Sequence, residues 1–121
     1  MKIVFLASEA APYIKTGGLG DVAQALPAAL SEYPGNEVLL FLPYYGKIKD
    51  NASISTEYLG YFYTDLSWRH QYVGLYKAAS HHENLHVYLL DNEQYFKRDN
   101  GIYGHADDGE RFAFYSKAVL D

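Results

Sequence analysis

Apolar runs and one amphipathic segment alternate over the first 45 residues. Residues 2–8 are apolar without interruption from Ile3 to Ala7 and end in Ser8, which is the pattern of a parallel strand buried on both faces. A second apolar run, residues 38–42, predicts another buried strand. Between them, apolar residues recur at helical spacing and predict the buried face of a helix, formed by Leu19, Val22, Leu26, Ala29, Leu30 and Tyr33. Strand, helix and strand in this order predict a right-handed βαβ unit.

The next segments alternate with the period of two that is typical of strands. Residues 53–63 and 68–78 alternate in this way on either side of Thr64–Ser67, which predicts a hairpin with Tyr58 and Phe62 on one face and Tyr61 and Tyr63 on the other. A further strand is predicted over residues 85–90. Asp107 and Glu110 have the spacing of a capping box with Asp107 as the cap, which predicts the start of a last helix. Its apolar face is made of Phe112, Tyr115, Ala118 and Val119.

These elements together predict the α/β fold class, with a parallel, Rossmann-like sheet, helices and one β-hairpin. Pro27 lies inside the first predicted helix and is expected to cost a hydrogen bond there and bend the helix, which residues 34–36 then stop. The chain reaches Asp121 within the last helix, without a capping residue. We therefore expect residues 1–121 to be part of one domain, truncated at its carboxyl end, with its next strand missing.

Composition and charge exclude several classes of function. The 121 residues include thirteen tyrosines and no cysteine, so disulfides, thiolate chemistry and cysteine metal sites are excluded, and a reducing cytoplasmic location is expected. The net charge is −5 with scattered basic residues, which argues against nucleic-acid binding. No apolar run approaches the ~20 residues of a membrane span. Residues 3–7 are too short a run for a signal peptide.

The segment Lys15-Thr16-Gly17-Gly18-Leu19-Gly20-Asp21-Val22 lies between the first predicted strand and the first predicted helix. Ligands of open α/β sheets bind in the crevice at the carboxyl ends of the strands. Adjacent glycines let a ligand approach the backbone, and the free N–H groups of a helix N-terminus favour a nearby anion by ~0.3–1 kcal/mol. A charge-assisted hydrogen bond from Lys15 adds roughly 1.5–3 kcal/mol. The segment therefore predicts a diphosphate site.

Two other interpretations of these glycines compete with a diphosphate site. Residues 18–23 match the dinucleotide pattern G-x-G-x-x-A, but the glycines come well after the strand, and Pro43-Tyr44-Tyr45 stands where a ribose-binding acid is expected. The P-loop pattern is absent, because the lysine precedes the glycines. Alternatively, the glycines only form a tight turn between the strand and the helix.

Further motifs accompany the glycine segment along the chain. They are Ser8–Pro12, Ala25–Leu30, Leu42–Tyr45, Tyr88–Asn92, Tyr95-Phe96, Tyr103-Gly104 and Glu110–Ala118. Together with the glycine segment, these motifs resemble those of bacterial glycogen synthases and plant starch synthases. The resemblance covers essentially the whole chain but only about the first quarter of a family enzyme.

The resemblance implies a retaining glucosyltransferase with two Rossmann-like domains of the type called GT-B. Such enzymes transfer glucose from ADP-glucose or UDP-glucose to the non-reducing end of an α-1,4-glucan. By resemblance, Lys15 contacts the donor phosphates, Gly17 and Gly18 give backbone access, and Asp21 lines the donor-glucose and acceptor region. Glu9 and Tyr103 are expected to contribute to the same cleft.

The resemblance also implies what lies outside these residues. It involves no cofactor and no metal. The active-site histidine and the nucleotide-binding second domain are expected after Asp121, so this piece should not be catalytic alone. An isolated fragment would expose a strand edge and is expected to self-associate.

Several other side chains have both a functional and a structural interpretation. The tyrosines 58, 61, 63, 72 and 76 are expected to be cross-strand pairs in preference to a sugar-stacking platform. His81, His82 and His86 lack the spacing of a metal site, and capping explains Asp107, Asp108 and Glu110 better than cation binding does. His105 either borders the cleft or lies on a surface loop, and a structural ion pair is expected for Arg111.

The functional alternatives are two. One is the dinucleotide-binding domain of an oxidoreductase. The other is a non-catalytic module that binds glucan or a protein partner.

Overall fold

The computed structural model describes residues 1–14, 18–51, 54–66, 69–80, 82–96 and 108–120. Within these residues, five strands form one sheet and four helices accompany it: β1 (Lys2–Leu6), α1 (Gly18–Ser31), β2 (Glu37–Pro43), α2 (Gly46–Lys49), β3 (Thr56–Leu66), β4 (Arg69–Ala78), β5 (Leu85–Asp91), α3 (Glu93–Phe96) and α4 (Asp108–Leu120). The predicted α/β class and the predicted order of strands and long helices are confirmed. The short helices α2 and α3 were not predicted.

The sheet is mixed, with the strand order β1-β2-β5-β4-β3. The neighbours β1, β2 and β5 are parallel, which confirms the expected strand–helix–strand unit. The strands β3 and β4 form the predicted antiparallel hairpin, and β4 pairs antiparallel with β5. The first hairpin strand is shifted along the chain relative to the prediction, since β3 begins at Thr56 and includes Thr64, Asp65 and Leu66, which the sequence placed in the connection.

The buried core lies on the middle strands. Val38, Leu40 and Leu42 of β2 alternate inward, beside Val87 and Leu89 of β5. In contrast, β1 is not buried on both faces as predicted, because Val4 and Leu6 are exposed. Within the described residues β1 pairs with β2 alone, so it is an edge strand, and its apolar composition misled the prediction.

The face of α1 that packs inward differs from the predicted one. Leu19, Val22, Leu26 and Tyr33 are exposed, and the buried residues of the helix are Gly20, Ala23, Pro27 and Ser31. These small residues also recur at helical spacing, and they let the helix approach β2 and β5 closely. The helix continues past Pro27 to Ser31, and the turn that follows contains Gly35 at φ +82°.

The last helix, α4, presents the predicted side chains to the core. Tyr115 and Ala118 are buried, and Phe112 and Val119 are partly buried against the core. The predicted capping residue Asp107 lies outside the described residues. His81, His105 and the segment 97–107 lie outside them as well.

Candidate functional site

The carboxyl ends of three parallel strands meet at one edge of the sheet. Leu6 pairs with Phe41, and Pro43 pairs with Leu90, so the ends of β1, β2 and β5 lie next to one another. This is the edge at which open α/β sheets bind their ligands. The loops that follow the three strands therefore define the candidate site.

The loop after β1 is held in place by backbone contacts. Ala10 forms an antiparallel bridge with Ile14, whose N–H donates to the Ala10 carbonyl at 2.9 Å. The N–H of Ala11 donates to the carbonyl of Gly20 in α1 at 3.0 Å, and the Ala11–Pro12 peptide bond is cis. Residues 15–17 connect Ile14 to the first residue of α1. The described residues before and after positions 15–17 are therefore joined by a backbone hydrogen bond between the loop and α1.

The loop after β2 supports the loop after β1. The hydroxyl of Tyr45 donates a hydrogen bond of 2.7 Å to the carbonyl of Ser8, and Tyr45 is only 1% exposed. The next residue, Glu9, is 3% exposed, so its side chain belongs to the interior of the site region. A buried carboxylate has to be paired with donors or cations to remain charged, which limits the arrangements this loop can adopt.

The amino end of α1 opens toward solvent. Gly18 is the first residue of the helix and is exposed, and a Cβ added there would meet no atom within 4 Å. Asp21, in the first turn, is also exposed. The first N–H groups of a helix lack partners inside the helix and carry partial positive charge. This end can therefore accept an anionic group close to the backbone.

The structure thus brings three predicted site residues to the carboxyl edge of the sheet. These are Glu9 in the loop after β1, and Gly18 and Asp21 at the start of α1. The other predicted residues, Lys15, Gly17 and Tyr103, lie outside the described residues. Their assignments to the donor site remain predictions.

An ion pair at the same edge was missed from the sequence. The Lys49 ammonium lies 2.8 Å from a carboxylate oxygen of Asp91, the last residue of β5. The same ammonium lies 5.1 Å from the ring centroid of Tyr44. Both partners are largely buried, so the pair fixes α2 against the end of β5. The position of Asp91 at the end of a predicted strand indicated that its carboxylate lies at this edge. Its partner Lys49 could not be predicted, because a helix of only four residues is too short to show helical periodicity in the sequence.

Two further buried polar side chains tie α4 to the sheet region. Arg111 is fully buried, and its Nε donates to the carbonyl of Tyr95 at 2.5 Å. The hydroxyl of Tyr115 donates to the carbonyl of Phe41 at 2.5 Å, and burial raises the pKa of Tyr115. Both side chains therefore position α4 beside the carboxyl edge.

The described residues contain no group of three or more His, Cys, Asp or Glu side chains placed to hold a metal ion. The Nε2 atom of His86 lies 3.4 Å from a carboxylate oxygen of Glu37. Glu83 and Asn84 form an exposed turn, as expected. Among the described helices, none is both long and apolar enough to cross a membrane.

Comparison with known proteins gives one consistent family. The family described as the starch synthase catalytic domain matches residues 2–121. Over all 121 residues the chain is 48% identical to a glycogen synthase of Streptococcus agalactiae and 48% identical to one of Exiguobacterium sibiricum. The chain spans only 25% and 24% of these two relatives.

A solved structure agrees with the sequence matches. The catalytic domain of starch synthase IV from Arabidopsis thaliana, bound to ADP and acarbose, superimposes with a TM-score of 0.82 at 28% identity. The similarity covers 98% of this chain and 24% of that one. The mixed sheet with its parallel strands therefore corresponds to part of a GT-B glycosyltransferase domain.

Proposed function

We propose, because this chain belongs to the starch synthase catalytic domain family, that the complete protein is a retaining α-1,4-glucosyltransferase. It transfers glucose from ADP-glucose or UDP-glucose to the non-reducing end of an α-1,4-glucan. The family match over residues 2–121 is the observation that carries this proposal. The 24–25% coverage of the relatives supports the expectation that the second, nucleotide-binding domain lies elsewhere in the protein.

The donor diphosphate is assigned to the region between β1 and α1. The proposal is supported by the anchored loop, the open backbone at Gly18 and the amino end of a fourteen-residue helix. Lys15 supplies a full positive charge to the phosphates, and Gly17 gives backbone access. Asp21, Glu9 and Tyr103 line the neighbouring part of the cleft, where donor glucose and acceptor meet.

The chemistry explains why a fixed cation and backbone amides are useful there. When the nucleoside diphosphate leaves, negative charge grows on the phosphate while the sugar becomes oxocarbenium-like. Donors that already point at the phosphate stabilise this charge separation more than they stabilise the ground state, so the transfer is accelerated. No water has to be activated, which explains why a glycosidase-type carboxylate pair is not required.

An ADP-linked donor is favoured over a UDP-linked one by a solved relative. The Arabidopsis starch synthase IV domain was solved with ADP and acarbose, and it matches nearly all of this chain. An adenine nucleotide and a carbohydrate acceptor are therefore proposed for this protein too. A cytoplasmic location stays a prediction.

The complete protein should be assayed with glycogen and either ADP-glucose or UDP-glucose. We expect nucleoside diphosphate release and growth of α-1,4-linked chains, with the α configuration of the new bond checked by NMR. NADH binding is the control for the dinucleotide-binding alternative. No transfer from either donor, together with tight NADH binding, contradicts the proposal. Binding of glycogen without any transfer supports the non-catalytic alternative.

A further inference from the structure

Five tyrosines share one face of the β3–β4 hairpin. The register pairs Tyr58 with Tyr76 and Tyr63 with Tyr72, and Tyr61 lies opposite Gly74. The register shifts between Tyr58 and Gly60, so a bulge at this point puts Tyr61 and Tyr63 on the face of Tyr58. The expected cross-strand pairs are confirmed, but the predicted division of β3 into two faces was wrong. We call Tyr58, Tyr61, Tyr63, Tyr72 and Tyr76 the tyrosine face.

The rings of the tyrosine face contact one another in a continuous array. Tyr61 stacks on Tyr72 at 5.9 Å between centroids, and Tyr63 meets Tyr61 and Tyr72 edge to face at 6.0 and 6.2 Å. Tyr72 shares a side-chain hydrogen bond with Tyr58, which packs against Tyr76 at 5.2 Å. Mutual packing of this kind limits ring motion, so the surface is ordered before any ligand arrives.

Four of the five rings are nevertheless open to solvent. Tyr61 is 63% exposed, Tyr58 52%, Tyr63 50% and Tyr72 38%. Since a tyrosine offers about 200 Å², these four expose roughly 400 Å². Exposed patches of this size are often functional, yet a stable protein–protein interface needs about 800 Å² from each partner. The area therefore suits a narrow, chain-like ligand better than a second copy of this protein.

The chemistry of the tyrosine face matches a neutral polyhydroxyl ligand. Each ring offers an apolar surface, and each hydroxyl can donate or accept a hydrogen bond. Burial is the main cause that raises the pKa of Tyr72 and of Tyr76, so both hydroxyls remain neutral at physiological pH. Lys49 and Asp91, which lie next to this face, neutralise each other. The exposed Asp65 shares the face of Tyr61 and Tyr63, and it lies at the end of β3, where it pairs in register with His70. An uncharged polysaccharide loses no ionic hydration when it binds such a surface.

The tyrosine face also lies toward the carboxyl edge of the sheet. Gly74 pairs with Asp91, the last residue of β5, so Tyr72 and its partner Tyr63 lie beyond the end of that strand. This is the edge that carries the proposed donor site. Four inter-strand spacings, or roughly 19 Å, separate β1 from β3, a distance that an extended oligosaccharide can span.

We propose that the tyrosine face is a secondary binding surface for an α-1,4-glucan chain, which holds the polymer while its end is extended at the donor site. The proposal rests on the proposed function, which supplies the glucan as the acceptor. Tyr61 and Tyr63 provide the main stacking rings, since they are among the most exposed of the five and both belong to β3, the last strand of the sheet in the part of the chain that the structure describes.

The test compares three variants of the complete protein. Tyr61→Ala/Tyr63→Ala removes two rings, Tyr61→Phe/Tyr63→Phe keeps the rings without hydroxyls, and Tyr33→Ala removes an isolated tyrosine that is 65% exposed. Glycogen affinity is measured by electrophoresis in gels with increasing glycogen. We expect about a tenfold weaker affinity for the double alanine variant, a smaller loss for the double phenylalanine variant and none for Tyr33→Ala.

Kinetics and stability separate the proposal from its rivals. With maltotriose as a short acceptor, the double alanine variant should retain the wild-type kcat and KM, whereas its KM for glycogen rises. Unchanged glycogen affinity overturns the proposal. If the double alanine variant has a lower melting temperature but unchanged glycogen affinity, another part of the protein covers the tyrosine face. If the variant dissociates from a dimer into monomers, a second copy of the protein covers this face. Failure of the wild type to transfer glucose refutes the proposed function, while glycogen binding still tests the surface.

Discussion

The hydroxyl of Tyr45 donates a 2.7 Å hydrogen bond to the backbone carbonyl of Ser8. Tyr45 follows β2, whereas Ser8 follows β1, so the bond joins the loops at the carboxyl ends of neighbouring parallel strands. The ring of Tyr45 is buried and meets Phe96 edge to face at 5.8 Å. A side chain from outside the glycine segment therefore fixes the loop that leads into it and carries Glu9.

Tyr45→Phe tests this support. The change keeps the ring but leaves the carbonyl of Ser8 without its donor, so we expect a loss of about 1 kcal/mol in the free energy of unfolding. Greater mobility of the loop should also raise the KM for ADP-glucose in the complete protein. Urea unfolding and initial-rate kinetics measure the two effects. Tyr33→Phe, at an exposed tyrosine, is the matched control, and equal behaviour of the two variants contradicts the assigned role.

Lys15→Ala tests the proposed diphosphate contact. Loss of the cation should lower kcat at saturating ADP-glucose by tenfold or more, because ~1.4 kcal/mol of lost transition-state stabilisation suffices for that effect. Lys15→Arg keeps the charge and should retain more activity than alanine. Lys2→Ala removes an exposed lysine of β1 and serves as the control. An unchanged kcat for Lys15→Ala refutes the assignment.

Gly18→Ala tests whether glycine is needed at this position for ligand access to the backbone or for the fold itself. An added Cβ meets nothing within 4 Å, so the free energy of unfolding should stay within about 0.5 kcal/mol of wild type. If the donor phosphates approach this backbone, the methyl group should still raise the KM for ADP-glucose several-fold. Gly35→Ala gives the opposite pattern, because φ +82° costs alanine roughly 1 kcal/mol while the position lies outside the site. A wild-type KM for Gly18→Ala removes Gly18 from the site.

The local pattern of apolar and polar residues was sufficient to predict most of the helices and strands. It was not sufficient to predict which of their faces are buried. The period of two found the β3–β4 hairpin, and helical spacing found α1 and α4. In α1, however, large apolar residues and small residues both recur at helical spacing, and the sheet selected the small ones, Ala23 and Gly20. A helix can approach a sheet closely only if the side chains between them are small. Hydrophobic periodicity does not take the size of side chains into account.

The bulge in β3 could not be predicted from a pattern that assumes strict alternation of side chains between the two faces of a strand. One extra residue between Tyr58 and Gly60 transfers the following side chains to the other face, so Tyr61 joins Tyr58. Gly60, at φ +145°, was the available sign of an irregular strand.

The sequence offered a candidate site only where its parts are contiguous. The glycine segment carries both its position after β1 and its chemistry in eight consecutive residues. The contacts that support it join distant residues, such as Tyr45 with Ser8 and Lys49 with Asp91. Their pairing depends on the strand order β1-β2-β5, which the sequence pattern did not specify.

Tyr115 predicts how stability depends on pH. Its buried hydroxyl donates to the carbonyl of Phe41, and burial raises its pKa above the ordinary value of 10.0. In the unfolded chain this tyrosine ionises near pH 10, whereas in the folded protein it stays protonated, so the folded state then binds more protons. The contribution of Tyr115 to the free energy of unfolding is therefore fully present below pH 10. As the pH rises further, this contribution is lost at about 1.4 kcal/mol per pH unit.

Tyr115→Phe isolates this contribution from those of the other tyrosines. We expect the variant to be less stable by about 1 kcal/mol at pH 8, where it lacks the hydrogen bond to Phe41. Above pH 10 its stability should decline less steeply than that of the wild type, because one ionisable group is gone. Urea unfolding midpoints from pH 8 to 11 measure both slopes, with Tyr33→Phe as the exposed control. Parallel slopes for wild type and Tyr115→Phe show that Tyr115 ionises as readily in the folded protein as in the unfolded chain.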